Sequence, residues 1–162
     1  MIPYVGVIEI ERKFLVKNKA YKSEAIKRQV LTQGYLNSDP KRSVRIRICD
    51  QDAYITIKGE TSESGTSRFE WEKEIDVDDA KQLIPLCLDG VITKVRYVVP
   101  FKNHTLEIDE FLKENSGLVI AEVELSHEDE AFERPSWLGK EVTGIKKYYN
   151  SQLCLRAYKN WK

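Results

Sequence analysis

The chain has no excess of charge of either sign. Lysine and arginine together number 26, aspartate and glutamate also number 26, and the formal net charge of the 162 residues is zero. A protein that attracts nucleic acid or an acidic membrane surface through its overall field needs a clear excess of positive charge. The sequence therefore predicts neither partner, and any charge-based function must come from local segregation of the two signs.

Cysteines and long apolar runs are also scarce. The three cysteines, Cys49, Cys87 and Cys154, are odd in number and far apart, which argues against a disulfide framework or a zinc site and favours a reducing compartment. The first ten residues lack the basic flank and long apolar stretch of a signal peptide. No run approaches the ~18 apolar residues of a membrane helix. We therefore expect a cytoplasmic protein without a membrane partner.

What the sequence does contain is a series of short segments in which apolar and charged residues alternate. In the first, VIEIERKFLV, the side chains of Glu9, Glu11 and Lys13 share one face of a strand and apolar residues dominate the other. Eight such segments cover residues 7–16, 30–36, 43–49, 53–58, 67–77, 91–99, 105–111 and 118–126. Because most of the turns between them are short, the strands are predicted to be largely antiparallel.

Helical patterns are few and short. They predict a surface helix over residues 21–29, a helix capped by Asp78 that runs to about Cys87, and a short acidic helix that begins with a capping box at Ser126 and Asp129. The tail, from 143 to 161, is predicted to be one further helix. With no repeat, linker or low-complexity tract, the sequence predicts a single α+β domain over residues 1–162.

The charged faces of the strands carry both signs, and the opposite faces are rich in Ile, Val, Phe, Trp and Tyr. The charged residues are Glu9, Glu11, Lys13, Arg45, Arg47, Lys58, Arg68, Glu70, Glu72, Glu74, Lys94, Arg96, Glu107, Asp109, Glu122 and Glu124. One interpretation is a half-buried sheet whose polar face meets solvent. The other is a closed barrel with the charges inside, which must be wet and open because burying so many ions in a dry interior is too costly.

Runs of like charge on single strands favour the barrel. Arg45 with Arg47, and Glu9 with Glu11, repel one another unless a counter-ion of opposite sign lies between them, whereas a surface selected for solubility intersperses the signs. An anion on the basic strands and a divalent cation on the acidic strands would satisfy both sets.

The sequence also resembles a known family. Glu9-x-Glu11-x-Lys13 resembles the signature of the CYTH domain, or triphosphate tunnel metalloenzyme, superfamily, and the short bacterial members resemble the chain most. The resemblance continues through QGYL (33–36), VRIRI (44–48), TIKG (56–59), SRFEWEKEI (67–75), ITKVRY (92–97), EIDEF (107–111), AEVEL (121–125) and KKYYN (146–150). The first motif alone is weak, but together with the R-x-R, K-x-R and E-x-E strands it is specific.

The resemblance implies an eight-stranded antiparallel closed β-barrel, a tunnel with a few short helices packed outside, that binds a linear triphosphate with Mg²⁺ or Mn²⁺. The implied metal ligands are Glu9, Glu11, Glu122 and Glu124, with Asp109 and Glu70 or Glu72 for a second ion. The implied phosphate-binding residues are Lys13, Arg45, Arg47, Lys58, Lys94 and Arg96, with Lys147 (or Lys146) closing one end of the tunnel. Lys13 and Tyr35 occupy the positions of a catalytic pair.

This assignment agrees with the chemistry of the residue types. Arginine forks suit phosphate oxygens, lysine supplies a movable charge, and carboxylate oxygens suit Mg²⁺ or Mn²⁺. Catalysis would consist mainly of positioning and charge neutralisation, with Lys13 accepting a proton if neighbouring cations lower its pKa. The substrate would be a small phosphate anion, and the protein a monomer or homodimer.

Three functions remain open at this stage. The first is a metal-dependent triphosphatase that acts on inorganic tripolyphosphate and, secondarily, on nucleoside triphosphates, because no base pocket is recognisable. The second is a class IV-type adenylate cyclase, which would need a site for adenine. The third is a non-catalytic module that binds polyphosphate or nucleotide. The products formed from matched substrates distinguish among them.

Overall fold

The computed structural model describes residues 7–161. Within this part of the chain, the strands are β1 (Val7–Val16), β2 (Lys27–Asn37), β3 (Arg42–Cys49), β4 (Asp52–Gly59), β5 (Ser67–Ile75), β6 (Ile92–Phe101), β7 (His104–Phe111), β8 (Val119–Glu124) and β9 (Leu138–Glu141). The α-helices are α1 (Tyr21–Glu24), α2 (Val77–Leu83) and α3 (Asn150–Leu155). Single 3₁₀ turns occupy Ile84–Leu86, Lys113–Asn115, Lys146–Tyr148 and Tyr158–Asn160.

Eight of these strands form a closed antiparallel barrel. Their order is β5-β4-β3-β2-β6-β7-β8-β1, and the first half of β1 pairs with β5 to close the ring. The second half of β1 pairs on that same side with the additional strand β9. The predicted eight-stranded barrel with a few short helices is confirmed. The sequence does not predict β9, because its four residues are too few to show an alternating pattern.

Most of the apolar packing lies on the outside of this ring. One cluster, which includes Phe14, Leu106, Ile108 and Trp137, covers the outer faces of β1, β7 and β8 and continues under α1 through Tyr21. A second cluster lies between α2 and the outer faces of β3 and β4. Since hydrocarbon covers the outside of the wall, the charged residues on the opposite face of each strand point inward. The interpretation as a solvent-facing sheet is therefore wrong.

A third apolar cluster closes one end of the barrel. Ile92, Phe111 and Ile120 lie at the inward register positions of β6, β7 and β8, and Leu153 of α3 packs against them. Tyr148, Tyr158 and Trp161 surround the same cluster. The C-terminal segment thus acts as a lid on the barrel end and brings the beginning of α3 to the interior.

The structure corrects the predicted helix over residues 21–29. Only one helical turn, α1, forms there, because the backbone from Lys27 onward pairs with β6. The predicted cap at Asp78 is also wrong. The cap is Asp76, whose side chain accepts a hydrogen bond from the Asp78 backbone N–H at 2.7 Å, so that β5 ends at Ile75 and α2 begins at Val77.

The other two predicted helices are also corrected. No helix forms directly after Ser126. Its backbone N–H donates to Glu130 Oε1 at 2.7 Å, and the chain there forms bends and turns. The tail over 143–161 is broken into two 3₁₀ turns and α3 rather than one helix. None of the helices in residues 7–161 has the length and apolar content needed to cross a bilayer.

Candidate active site in the barrel interior

The barrel encloses a strongly polar cavity of about 240 Å³. All eight barrel strands contribute to its wall, and the segment leading into α3 contributes the rest. The lining residues are Glu9, Glu11, Lys13, Tyr35, Ser43, Arg45, Arg47, Lys58, Arg68, Glu70, Glu72, Lys94, Arg96, Glu107, Glu122, Glu124, Tyr149, Asn150 and Ser151. Side-chain alternation sends every second residue of each strand into this space. Like-charged residues that alternate along one strand therefore face the cavity together.

Antiparallel register brings the acidic strands side by side. Glu11 of β1 lies opposite Glu124 of β8, and Glu122 lies opposite both Lys13 and Glu107. Burial raises the pKa of Glu124, and the carboxylates of Glu9, Glu11 and Glu107 raise it further. This side of the cavity therefore carries negative charge that its own lysines do not fully neutralise.

Two lysines are held among these carboxylates. Lys13 Nζ lies 2.8 Å from Glu122 Oε1 and 3.3 Å from Glu11 Oε1. Lys58 Nζ lies 2.8 Å from Glu9 Oε2 and 3.2 Å from Glu70 Oε2. Each lysine is thus shared by two carboxylates, which leaves negative charge on this side that a cation could neutralise.

The divalent ion implied by the resemblance is compatible with this donor set. Within residues 7–161, no three acidic, histidine or cysteine side chains already converge as a complete ligand group. Mg²⁺ does not require one, because it is commonly held by one or two carboxylates together with waters and substrate phosphate oxygens. The sharing of each lysine by two carboxylates and the raised pKa of Glu124 indicate that the acidic side has negative charge available to a cation.

The opposite side of the cavity has positive charge in excess. Arg45 and Arg47 of β3 lie 3.6 Å and 3.7 Å from Glu72 Oε2, and each has a buried Nε that finds no hydrogen-bond partner within residues 7–161. Burial lowers the pKa of Arg47 to about 10, and the neighbouring cations Arg45 and Arg96 add to this effect. An anion between the two guanidinium groups would accept hydrogen bonds from the Nε atoms and neutralise the excess positive charge.

Asp109 organises two further cations of the wall. Arg96 donates to both of its oxygens, from Nε to Oδ1 at 2.8 Å and from Nη2 to Oδ2 at 2.9 Å, and Lys94 Nζ lies 2.8 Å from Oδ2. Burial raises the pKa of Asp109, but Arg96 and Lys94 outweigh it and lower the value to about 2. Both oxygens contact these two cations, so Asp109 holds cations of the phosphate side in place. Its role as a second-metal ligand stays a prediction.

The lysines of the cavity differ in acidity. Burial lowers the pKa of Lys13, but the carboxylates of Glu11 and Glu122 outweigh burial, and the net pKa is raised. The expectation that neighbouring cations lower the pKa of Lys13 is therefore wrong. Lys94 is the lysine with the lowered value, about 8, because burial outweighs the attraction of Asp109. Tyr35 lies opposite Arg45, and burial raises the pKa of its hydroxyl.

The remaining predicted site residues fall into three positions. Glu70 lies 3.2 Å from Lys58, close to the acidic side of the cavity. Glu72 accepts from Thr56 Oγ1 at 2.7 Å and neighbours Arg45 and Arg47, so it belongs to the basic side. Lys147 lies outside the cavity. Its exposed Nζ is 4.7 Å from the centre of the Trp161 ring, which corrects the expectation that Lys147 closes the tunnel.

Comparison with known proteins identifies the family of this chain. The family model described as the CYTH domain matches residues 7–158. This chain belongs to the CYTH domain family. It is 48% identical over 155 residues to an inorganic triphosphatase of Acetivibrio thermocellus, covering 95% of this chain and 97% of that protein. It is 38% identical over 152 residues to an inorganic triphosphatase of Nitrosomonas europaea, covering 91% and 97%.

Solved structures agree with the fold of this CYTH domain. A crystal structure of an inorganic triphosphatase superposes with a TM-score of 0.66 at 34% identity, over 91% of this chain and 97% of that one. A protein from Pyrococcus horikoshii superposes with a TM-score of 0.61 at 22% identity, over 75% and 81%, and shows the same fold.

Several residues of the CYTH cavity are missing from the predicted site. Arg68 lies opposite Glu9 in the β1–β5 pair, and Glu107 lies opposite Glu122. Strand alternation places both on charged faces, so their position is available from sequence even though their role is not. Tyr149 and Asn150 lie in the KKYYN motif of the resemblance, but neither they nor Ser151 show strand alternation. Their contact with the barrel end depends on tertiary packing, because the tail has the pattern of a continuous helix.

Proposed function

We propose that this CYTH domain hydrolyses linear triphosphates with the help of a divalent cation. The observation that carries the proposal is the division of one cavity into two sides. On the basic side, the Nε atoms of Arg45 and Arg47 have no hydrogen-bond partner among residues 7–161, and on the acidic side each lysine is shared by two carboxylates. A triphosphate with its bound metal ion presents the complementary charges in one molecule. The two relatives named inorganic triphosphatase support the same substrate class.

The basic side would hold the phosphate chain. Arg45 and Arg47 present forked donors that match phosphate oxygens in pairs, whereas Lys94 acts as a point charge. Lys58, which lies beside Glu9 and Glu70 on the acidic side, adds a second point charge for the phosphate chain there. Arg96, fixed by Asp109, is held rigid for the same purpose. Arg68 adds a cation near Glu9. Binding of this kind neutralises the substrate and holds it in line for displacement.

The acidic side would hold the metal ion through Glu9, Glu11, Glu122 and Glu124, with Glu70 as a further donor nearby. Carboxylate oxygens are the ligands that Mg²⁺ and Mn²⁺ prefer, so either ion suits the site. When bound, such an ion neutralises phosphate oxygens and lowers the pKa of a coordinated water.

Lys13 and Tyr35 are proposed as the catalytic pair. Lys13 Nζ is held 2.8 Å from Glu122 and 3.3 Å from Glu11, and it would act as a fixed ammonium that stabilises charge on the reacting phosphate. Tyr35, whose pKa is raised, keeps its hydroxyl proton and donates it in a hydrogen bond.

Inorganic tripolyphosphate is the proposed first substrate, and nucleoside triphosphates come second. Among the described residues that line the cavity, only Tyr35 and Tyr149 carry aromatic rings, and the remaining wall is polar or charged. Such a wall offers little apolar surface for a base.

The test compares products from matched substrates. Purified protein is incubated with tripolyphosphate or ATP and with Mg²⁺ or Mn²⁺, and orthophosphate, pyrophosphate and cyclic AMP are measured. Orthophosphate release, fastest from tripolyphosphate, is expected. Cyclic AMP and pyrophosphate from ATP would instead indicate the cyclase, and tight binding of tripolyphosphate without turnover with either metal would indicate the non-catalytic module.

We also propose a cytoplasmic location and a monomeric or homodimeric state. The three cysteines are free, which suits a reducing compartment. Cell fractionation and light scattering on the purified protein test the two statements separately.

A further inference from the structure

Asn150, the first residue of α3, connects the C-terminal segment to the cavity wall. Its Oδ1 accepts a hydrogen bond from Lys94 Nζ at 3.0 Å and a second from Gln33 Nε2 at 3.2 Å. Lys94 belongs to β6 and Gln33 to β2, so a single side-chain oxygen joins α3 to two neighbouring strands. Asn150 itself lines the cavity.

These contacts fix which way the Asn150 amide points. A lysine ammonium has only donors, so the atom of Asn150 that faces Lys94 must be the oxygen. The same oxygen orients the fully buried Gln33, whose own Oε1 is left without a hydrogen-bond partner among the described residues. The Asn150 Nδ2 group, with two hydrogens to donate, therefore faces away from both neighbours.

The surroundings indicate what that donor meets. At this end the barrel is closed by Ile92, Phe111, Ile120 and Leu153, so a phosphate chain in the cavity cannot continue past it. The phosphate nearest α3 is thus the end of the chain. The Asn150 amide is neutral, so it adds no charge to that of the nearby lysines and arginines. Its N–H donor instead restricts where a phosphate oxygen can lie.

We infer that Asn150 Nδ2 donates a hydrogen bond to the terminal phosphate of the bound triphosphate, which makes Asn150 a specificity-determining residue of this cavity. The inference rests on the proposed function and adds a substrate contact that neither the motifs nor the charge pattern assigns. It also gives the closed barrel end a direct role in setting how far the phosphate chain enters.

Three variants test this inference. Asn150→Ala removes the donor without adding charge, and it also removes the oxygen that Lys94 and Gln33 share. Asn150→Asp keeps an oxygen facing Lys94 and Gln33, so it preserves those two contacts while replacing the donor by a negative charge. Gln152→Glu makes the same amide-to-carboxylate change two residues later on α3, where the side chain borders an outer surface pocket with Lys147 and Arg156, and serves as the control.

The readouts are KM and kcat for tripolyphosphate, its Kd measured by calorimetry without metal, and the melting temperature. We expect KM and Kd to rise about tenfold or more in both Asn150 variants, most in Asn150→Asp, because a hydrogen bond to a charged partner is lost. Gln152→Glu should stay within about twofold of the parent protein, as expected for a surface charge.

Two results would overturn the inference while leaving the proposed function intact. One is an active parent protein whose Asn150→Ala variant has the same Kd and KM as the parent. The other is a lowered melting temperature in the Asn150 variants without a change in Kd, which would mean that the residue only fastens α3. Parent protein that neither binds nor hydrolyses tripolyphosphate would instead reject the proposed function itself.

Discussion

The charged residues of the cavity wall differ from one another in how completely they are paired. Lys13 is surrounded by carboxylates and its pKa is raised, whereas Lys94 shares Asp109 with Arg96 and its pKa is lowered to about 8. Two lysines of similar position in their strands therefore have different properties. The difference follows from the number of acidic neighbours, which the fold determines.

The lowered pKa of Lys94 predicts a pH dependence. Lys94 is charged below about pH 8 and neutral above it, so its attraction for phosphate is lost as the pH rises through this value. We expect kcat/KM for tripolyphosphate, which reports the free enzyme, to fall above about pH 8. The Lys94→Arg variant keeps its positive charge over this range, so the fall in its kcat/KM should move to higher pH. An identical profile in both proteins would contradict the assignment.

Asp109 is predicted to be a strong determinant of stability. Asp109→Asn leaves Lys94 and Arg96 buried without their common anion, and breaking a buried pair in this way costs about 3–5 kcal/mol. Urea unfolding at neutral pH measures the loss. Glu107→Gln is the matched control, because its half-exposed carboxylate pairs with Arg96 Nη1 at 3.0 Å and its removal should cost under about 1 kcal/mol. Equal losses in the two variants would contradict this role.

The stabilisation by Asp109 also has a predicted pH range. Its pKa of about 2 in the folded protein is below the ordinary 3.8, so the contribution is complete above 3.8 and disappears as the pH falls from 3.8 toward 2.

At the scale of whole elements, the attachment of α3 decides the shape of the cavity. The chain passes close to α3 at Gly90, just before β6, where φ is +91° and a Cβ would lie 2.2 Å from the backbone oxygen of Cys154. Because the atom in the way belongs to the α3 backbone, it cannot move aside without shifting the helix. Glycine is required here both for its conformation and for the space.

Gly90→Ala is therefore predicted to loosen α3. We expect a loss of about 2–4 kcal/mol, combining strain at positive φ with displacement of the helix, together with a raised KM because Asn150 moves with α3. Gly117→Ala is the control: its φ is similar, +97°, but the nearest atom, Tyr158 Cε1, is 3.5 Å away. It should show the strain alone, about 1–2 kcal/mol, with KM unchanged. If both variants lose the same stability and keep the parent KM, α3 is not held in this way.

The elements also show how far sequence alone can lead. The barrel strands are predictable because each keeps a period of two over several residues, and the inward position of Glu9, Glu11, Arg45 and Arg47 follows from that period together with the resemblance. The tail is not predictable in the same way: its apolar and aromatic residues suit a continuous helix, and only packing against the barrel end breaks it at Tyr149. Nor does sequence reveal that Arg96 and Lys94 occupy both oxygens of Asp109, since this depends on register between strands.

On the scale of the whole molecule, the barrel reverses the usual arrangement of a small globular protein. Apolar clusters cover most of its outer wall, and a wet, charged cavity occupies its middle. Such an interior is costly without partners for its charges, as the raised pKa of Glu124 and the two arginine Nε atoms without a hydrogen-bond partner among residues 7–161 indicate. The fold therefore gives up part of its own stability to keep a site ready for an ionic ligand.

The measurement that tests this account most directly is orthophosphate release from tripolyphosphate, with Mg²⁺ or Mn²⁺ present or chelated. We predict turnover that requires the metal ion and that Glu11→Gln reduces at least a hundredfold while the variant still folds, because one carboxylate of the acidic side is neutralised. Turnover that persists after chelation, or a Glu11→Gln variant as active as the parent protein, would contradict the account.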